Sequence, residues 1–169
     1  MKNIILIGMP ASGKSTVGLI LAKLLGYDFI DTDIRLSVAQ DRPLSQIIAE
    51  DGFDRFIALE GQTGEGLKCE RTVVATGGSM IFSDRAMKAL SENAVVVWLD
   101  AGPDELARRM AGTLISRGVA TPVKMTVGEI YAARRPLYKK YANIRVCCAG
   151  SAEQAAIALR ERLISERLI

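Results

Sequence analysis

Gly8-Met9-Pro10-Ala11-Ser12-Gly13-Lys14-Ser15, directly after the apolar run Ile4-Ile5-Leu6-Ile7, decides how the rest of the chain is read. The eight residues fit G-x-x-x-x-G-K-[ST], the loop that cradles the phosphates of a nucleoside triphosphate. Gly8 and Gly13 let the backbone turn its N–H groups into a concave nest for anionic oxygen. Lys14 reaches toward terminal phosphates, and the Ser15 hydroxyl is of the type that sits on Mg²⁺. Residues Thr16 to Leu25 read as a helix, whose N-terminal dipole points at the same phosphates. The candidate nucleotide-binding residues are therefore Gly8, Ala11, Ser12, Gly13, Lys14, Ser15 and Thr16.

Outward from the loop, short β-rich runs alternate with helical stretches. Strands are expected at Asn3–Ile7, Asp28–Asp31, Thr72–Ala75, Ala94–Leu99 and Ile144–Cys147. Helices are expected at Lys14–Leu25, Asp33–Ala39, Leu44–Glu50, Phe53–Lys68, Asp84–Ser91, Pro103–Ala111, Thr126–Tyr141 and Ala152–Ile164. The run Val95-Val96-Val97-Trp98-Leu99 lacks polar alternation, as a strand covered on both faces does. Such alternation predicts an α/β domain with a parallel sheet and helices on both faces. Ligands in that architecture bind beyond the carboxyl ends of the strands. The phosphate loop, Asp31 and Thr76-Gly77-Gly78 all follow strands and are expected to converge on one crevice.

Composition narrows the chemistry. The 169 residues suit one domain (1–169), and a net charge of +3 is too small to argue for a nucleic-acid partner. Three cysteines, Cys69, Cys147 and Cys148, lack metal-ligand spacing and point to reduced thiols in a cytoplasmic protein. Met1-Lys2-Asn3 leads straight into a strand without the look of a removable signal, and no apolar run approaches bilayer length, so no membrane partner is expected. Histidine is absent, which leaves Asp, Glu, Lys or positioning alone to do the chemistry.

Asp31-Thr32-Asp33 closes the second expected strand. One carboxylate is suited to hold Mg²⁺ through water and the other to accept a proton or hydrogen bond from an acceptor hydroxyl. Asp33 also reads as the N-cap of the following helix, and the two roles are compatible. In Val73-Val74-Ala75-Thr76-Gly77-Gly78 the paired glycines allow a close approach to the backbone, where a free N–H can donate to a transferring phosphate or acceptor. The stretch Gly112–Val123 reads either as a surface loop or as a lid that closes over nucleotide.

Taken together, the phosphate loop, Asp31-Thr32-Asp33, Val74-Ala75-Thr76-Gly77-Gly78 and Arg134-Arg135-Pro136-Leu137-Tyr138 resemble the shikimate kinase family, in its order and over nearly the full length. The resemblance implies a three-layer P-loop kinase fold: a five-stranded parallel sheet with helices on both faces and a lid at 112–123. It implies ATP-dependent, Mg²⁺-assisted transfer of the γ-phosphate to the 3-hydroxyl of shikimate, a step in aromatic amino acid biosynthesis, by a cytoplasmic monomer. By the same likeness Lys14 and Asp33 are catalytic, and Ser15 and Asp31 hold the metal. Asp33, Gly77, Gly78 and Arg134 bind the acceptor, Arg134 taking its carboxylate, and Arg109 lies against adenine, a role suited to a planar guanidinium.

Three positions depart from the family pattern. Family members carry Phe-Arg followed three residues later by Glu; here the stretch reads Phe56-Ile57-Ala58-Leu59-Glu60, with Ile57 in place of a carboxylate-clamping arginine. Glu60 ordinarily orients that arginine. A lid arginine before proline is Thr121 before Pro122, with Arg117 close by, and a third glycine is Ser79. Losing one charge-assisted arginine–carboxylate contact costs roughly 1.5–3 kcal/mol, or roughly 10- to 150-fold in affinity. Arg55 and Arg35 are the candidate substitutes. The alternatives that stay open are a relative phosphorylating another hydroxy acid or polyol, a nucleoside monophosphate or gluconate-type kinase on the same core, and a nucleotide-binding protein without turnover. A GTP-dependent switch is excluded, because neither Asn-Lys-x-Asp nor a well-placed Asp-x-x-Gly is found.

Overall fold

Five parallel strands run in the order β2-β3-β1-β4-β5 in the computed structural model, which describes residues 2–111, 125–148 and 150–169. The strands are β1 (Asn3–Ile7), β2 (Asp28–Asp31), β3 (Thr72–Ala75), β4 (Ala94–Asp100) and β5 (Ile144–Cys147). The helices are α1 (Lys14–Leu25), α2 (Thr32–Gln40), α3 (Leu44–Asp51), α4 (Phe53–Glu65), α5 (Asp84–Ser91), α6 (Pro103–Met110), α7 (Val127–Tyr141) and α8 (Ala152–Ser165). The candidate lid at 112–123, with Arg117, Thr121 and Pro122, lies outside the described residues.

β1 is buried along its whole length because it has neighbours on both edges and helices on both faces. Its residues divide strictly by parity, as the two-residue period of a strand requires. Ile4 and Leu6 join Val17, Leu21, Val97, Leu159 and Leu163 on the α1–α8 side. Ile5 and Ile7 join Val96, Trp98, Met87, Leu106 and Tyr138 on the other. A smaller apolar cluster, Leu36, Ile47, Phe56 and Leu59, ties α2, α3 and α4 into a unit at the sheet's β2 end, and Ile57 packs against it.

Local chemistry sets the helix ends. Asp31 caps α2, its Oδ1 accepting from the N–H of Asp33 and of Ile34 at 2.9 and 3.3 Å. The helix therefore begins at Thr32, one residue before the sequence-based start, and Asp33 sits in its first turn rather than at its cap. α4 stops at Glu65, short of the expected Lys68, because Gly66 N–H closes the helix on the Gln62 carbonyl. Capping boxes fix the starts of α7 (Thr126 with Glu129) and α8 (Ser151 with Gln154). A single 3-10 turn over Met80–Phe82, unforeseen from the sequence, carries the chain from β3 toward α5. Among the described residues no helix is long and apolar enough to cross a membrane.

All strands point their carboxyl ends to one edge, so the loops after β1 and β3 and the end of β2 meet there. Thr76 fastens two of them, its N–H and hydroxyl both donating to the Leu6 carbonyl at 3.1 and 2.9 Å. Leu6, fully buried in the central strand, is the test of this core. Leu6→Ala is expected to cost about 2–5 kcal/mol through lost burial and a residual cavity. At about 2–4 °C per kcal/mol for a chain of this size, calorimetry reads this as a Tm lowered by roughly 5–20 °C.

Candidate active site

The phosphate loop takes its shape from two tight places. Gly13 has φ +92° and leads directly into α1. At Gly8 (φ +151°) a Cβ would lie 2.5 Å from the Leu99 carbonyl, so β4 leaves no room for a side chain there. Lys14, only 8% exposed, folds onto its own loop and donates to the carbonyls of Gly8 and Met9 at 2.9 and 2.8 Å. Burial lowers its pKa to about 8, against the opposing pull of Asp33, Asp31 and Glu60. The Ser12 hydroxyl is buried without a hydrogen-bond partner among the described residues.

Asp31 does two jobs from one carboxylate. Oδ1 caps α2, and Oδ2 accepts from the Ser15 hydroxyl at 2.5 Å. Two hard oxygen donors at that spacing beside a phosphate nest fit Mg²⁺, which takes one or two protein ligands and completes its shell from phosphate and water. Among the described residues no cluster of three or more acidic or thiol ligands exists.

Across from Lys14, Asp33 and Glu60 bring carboxyl oxygens to one point. A Cβ on Gly77 would lie 1.8 Å from Glu60 Oε1 and 2.5 Å from Asp33 Oδ1, so the two oxygens sit close together over a bare backbone. Among the described residues Asp33 Oδ1 and both Glu60 oxygens are buried without a well-formed hydrogen bond, although the Ser79 backbone lies close enough to act on Glu60. Burial is the main reason that Asp33 is raised to about 6 and Glu60 to about 8; Lys14 opposes it at both, and Arg134 also at Glu60. Gly77 N–H, expected to be free for a phosphate or acceptor, instead donates to Thr32 Oγ1 at 3.0 Å. That bond ties the glycine turn to the first turn of α2. Gly78 is bare for a different reason: a Cβ would lie 2.8 Å from Pro10 Cδ and 3.1 Å from Arg134 Nη1.

Arg134 comes from α7, 2% exposed, with Nη1 donating to the Gly78 carbonyl at 3.0 Å and the guanidinium 5.3 Å over the Phe82 ring. The Tyr138 hydroxyl donates to the same carbonyl at 3.2 Å. Arg134 thus stands behind Gly78, within electrostatic reach of Glu60 and Lys14.

These residues surround a cleft of about 370 Å³. Lys14, Ser15 and Thr16 line its phosphate end; Asp33, Glu60, Thr76 and Gly78 line its middle; Ser37, Pro43, Leu44 and Phe56 close the far wall. On the other side of the phosphate loop a second pocket, about 420 Å³, is lined by Ala11, Gly13, Arg109, Cys148 and the start of α8. Arg109 is held there by Glu105 at 2.6 Å and by the carbonyls of Ala11 and Cys148, both at 3.3 Å.

The sequence-predicted site residues thus fall around one loop, with Arg109 on one side and Asp33, Gly77, Gly78 and Arg134 on the other. Glu60 was missed as a residue of the cleft itself. Its signal was a carboxylate four residues after Phe56 on the face of α4 that also carries Leu59. The substitutes for a clamping arginine do not reach the cleft. Arg55 is exposed and acts on Asp51, and exposed Arg35 acts on Cys69, because each leaves its helix on the outward side. Ile57 turns into the α2–α3–α4 cluster. Ser79 adopts φ −102°, a conformation open to any residue, so nothing in the backbone demands a third glycine.

A phosphate nest, a hydrogen-bonded Ser15–Asp31 pair and a buried carboxylate facing them across a small cleft define a P-loop kinase of small molecules. The family model for shikimate kinase matches residues 10–164. Shikimate kinase from Symbiobacterium thermophilum is 32% identical over 169 residues, covering 98% of this chain and 97% of the relative. Shikimate kinase from a Synechococcus strain is 36% identical over 168 residues, covering 97% and 83%. The structure of shikimate kinase from Acinetobacter baumannii in complex with shikimate matches with a TM-score of 0.90 at 25% identity, covering 100% of this chain and 96% of that one. The chain belongs to the shikimate kinase family.

The glycine at 77 offers a direct check on this geometry. Gly77→Ala forces the Glu60 and Asp33 carboxyls apart and is expected to cost about 1–3 kcal/mol, the usual scale of overpacking. Thermal unfolding should show the loss, and Gly77→Ala combined with Glu60→Ala should recover part of it. Equal destabilisation with and without Glu60 would show that this contact does not decide the position.

Proposed function

We propose that this chain transfers the γ-phosphate of ATP to the 3-hydroxyl of shikimate. The observation that carries the reading is the buried Asp33 carboxyl, unpartnered at Oδ1, in the same cleft as Lys14 and the Ser15–Asp31 pair. Phosphoryl transfer asks a protein for positioning and charge neutralisation more than for covalent chemistry. The loop N–H groups and Lys14 take the β- and γ-phosphates, and Arg109 packs on the base in the second pocket. Ser15 and Asp31 would hold Mg²⁺, which when bound would neutralise charge on the phosphates.

Asp33 accepts the hydrogen bond, and then the proton, of the acceptor hydroxyl. Its burial favours that task, because a carboxylate raised to about 6 is a better base than an ordinary one and is still ionised at neutral pH. Gly78 lets the acceptor ring approach the backbone, and Arg134 takes the acceptor's carboxylate from behind it.

One observation favours a second reading, another polyhydroxylated acceptor. At position 57 an isoleucine faces an apolar cluster, and neither Arg55 nor Arg35 brings a positive charge to the far wall. Steady-state ATP consumption with shikimate and a panel of hydroxy acids and uncharged polyols separates the two. Consumption with a polyol and none with shikimate rejects shikimate as the acceptor.

Two outcomes are expected of the site residues. Lys14→Ala should abolish measurable turnover while leaving the melting curve near wild type; a folded variant with near-normal turnover would overturn the assignment of a kinase. Asp33→Asn should lower acceptor-dependent kcat at least about tenfold with ATP affinity little changed. In the wild type, kcat/KM for the acceptor should fall as pH drops through about 6, because protonated Asp33 no longer accepts the hydroxyl proton. A flat profile across that range removes Asp33 from the role of base.

A further inference from the structure

Two aromatic side chains touch Arg134, and neither takes part in phosphoryl transfer as proposed. Tyr138 follows Arg134 by four residues, one turn on along the same buried face of α7, and is 0% exposed. Its hydroxyl donates to the Gly78 carbonyl at 3.2 Å, where Arg134 Nη1 donates at 3.0 Å, and its oxygen lies close enough to Arg134 to act on it as well. One hydroxyl can do both, since it carries a donor and acceptor lone pairs. The Tyr138 ring stacks on Trp98, buried in β4, with centroids 5.7 Å apart and planes 20° from parallel. Phe82, from the 3-10 turn that follows Ser79, lays its ring 5.3 Å from the guanidinium carbon of Arg134. Phe82 remains 42% exposed, so burial alone does not account for its place.

These contacts fix an orientation as well as a place. The Gly78 carbonyl receives two donors, one for each lone pair. A trans peptide is planar, so holding that carbonyl also holds the Ser79 N–H on its opposite edge, from which Ser79 acts on Glu60. A guanidinium grips a carboxylate with two parallel N–H groups only when its plane is set. Phe82 sets that plane from the face, and Tyr138 sets it from the edge. Burial pushes the Tyr138 phenol far above its ordinary range, so the hydroxyl keeps its proton at neutral and mildly alkaline pH. We propose that Tyr138 and Phe82 are positioning residues for the reaction: neither touches substrate, and together they hold Arg134 in the orientation that takes an acceptor carboxylate. This rests on the reading of Arg134 as the group that takes that carboxylate.

The test measures steady-state ATP consumption by wild type, Tyr138→Phe and Phe82→Leu with two acceptors. One is shikimate, and the other is its analogue with the carboxylate reduced to a primary alcohol. Tyr138→Phe keeps the stacked ring and loses only the hydroxyl. With shikimate its acceptor KM should rise about three- to tenfold, the scale of one hydrogen bond, while the KM for ATP stays within about twofold. Phe82→Leu keeps apolar bulk and loses the aromatic face, and should raise the same KM about threefold or more. With the alcohol neither variant should differ from wild type by more than about twofold, because no carboxylate is there for an aligned guanidinium to grip. A merely structural role would raise both acceptors alike. In an Arg134→Lys background, Tyr138→Phe should add less than about twofold, since the two residues act through one group.

Equal penalties with the acid and the alcohol, an unchanged acceptor KM in both variants, or full additivity with Arg134→Lys overturns the proposal. If Tyr138→Phe fails to fold, as read from its melting curve, the exposed Phe82→Leu substitution decides by itself. Should wild type ignore shikimate, that acceptor assignment fails separately. The comparison is then run on the hydroxy acids that are turned over, each paired with its alcohol. A penalty confined to the acids upholds the role of the two aromatic residues. A penalty shared by the alcohols, or turnover of no carboxylate-bearing acceptor at all, rejects it.

Discussion

Two carboxyl oxygens occupy the space that a side chain on residue 77 would need, and the Asp33–Glu60 half of the cleft is organised around that exclusion. Because Gly77 is bare, α2 and α4 can press Asp33 and Glu60 against the end of β3. Because its N–H is tied to Thr32, the turn keeps a fixed distance from the first turn of α2. Gly78 continues the same logic on the other side, where Pro10 of the phosphate loop and Arg134 of α7 meet its backbone. Four elements distant in sequence are thus held in register by two residues without side chains.

The electrostatics of the cleft follow from that packing. Lys14 and Arg134 supply positive charge, Asp31, Asp33 and Glu60 supply negative, and most of them are removed from water. Desolvation is the first cause of the shifts at Lys14, Asp33 and Glu60; neighbours of opposite charge work against it, while Arg134 at Lys14, Asp31 at Asp33 and Asp33 at Glu60 reinforce it. A site in this condition is arranged for ligands that bring their own charge; under the proposed function these are phosphate at the lysine and metal at the Ser15–Asp31 pair. Fixed charges in a dry cleft act more strongly on a reacting phosphoryl group than the same charges in water would.

The departures from the family pattern differ in weight. Ser79 stands where the backbone makes no demand for glycine, so the change costs the fold nothing in backbone conformation. Ile57 extends the apolar cluster that joins α2 to α4, where the family pattern has an arginine. The same substitution leaves Glu60 without an arginine at the position from which the family orients one. One residue thus changes both the charge of the pocket and the work available to its neighbour.

Among the described residues the phosphate loop, the five strands and the eight helices were legible in the sequence, because each rests on local rules: a phosphate-loop pattern, uninterrupted β-branched runs, caps and glycine stops. Errors at helix ends came from local bonds that the pattern does not display: the Asp31 carboxylate rather than Asp33 caps α2, and the Gly66 N–H closes α4 on the Gln62 carbonyl. The convergence of loop, Asp31 and Gly77-Gly78 was also legible, since parallel strands must present their carboxyl ends on one edge. What the sequence could not decide was which polar groups would be left without partners. Glu60 reads only as the partner of an arginine that this chain lacks, and Arg55 and Arg35 read as replacements for that missing cation. Only the packing of α2, α3 and α4 on the sheet turns the first into the cleft and the other two away, because burial and pairing are properties of neighbours far apart in the chain.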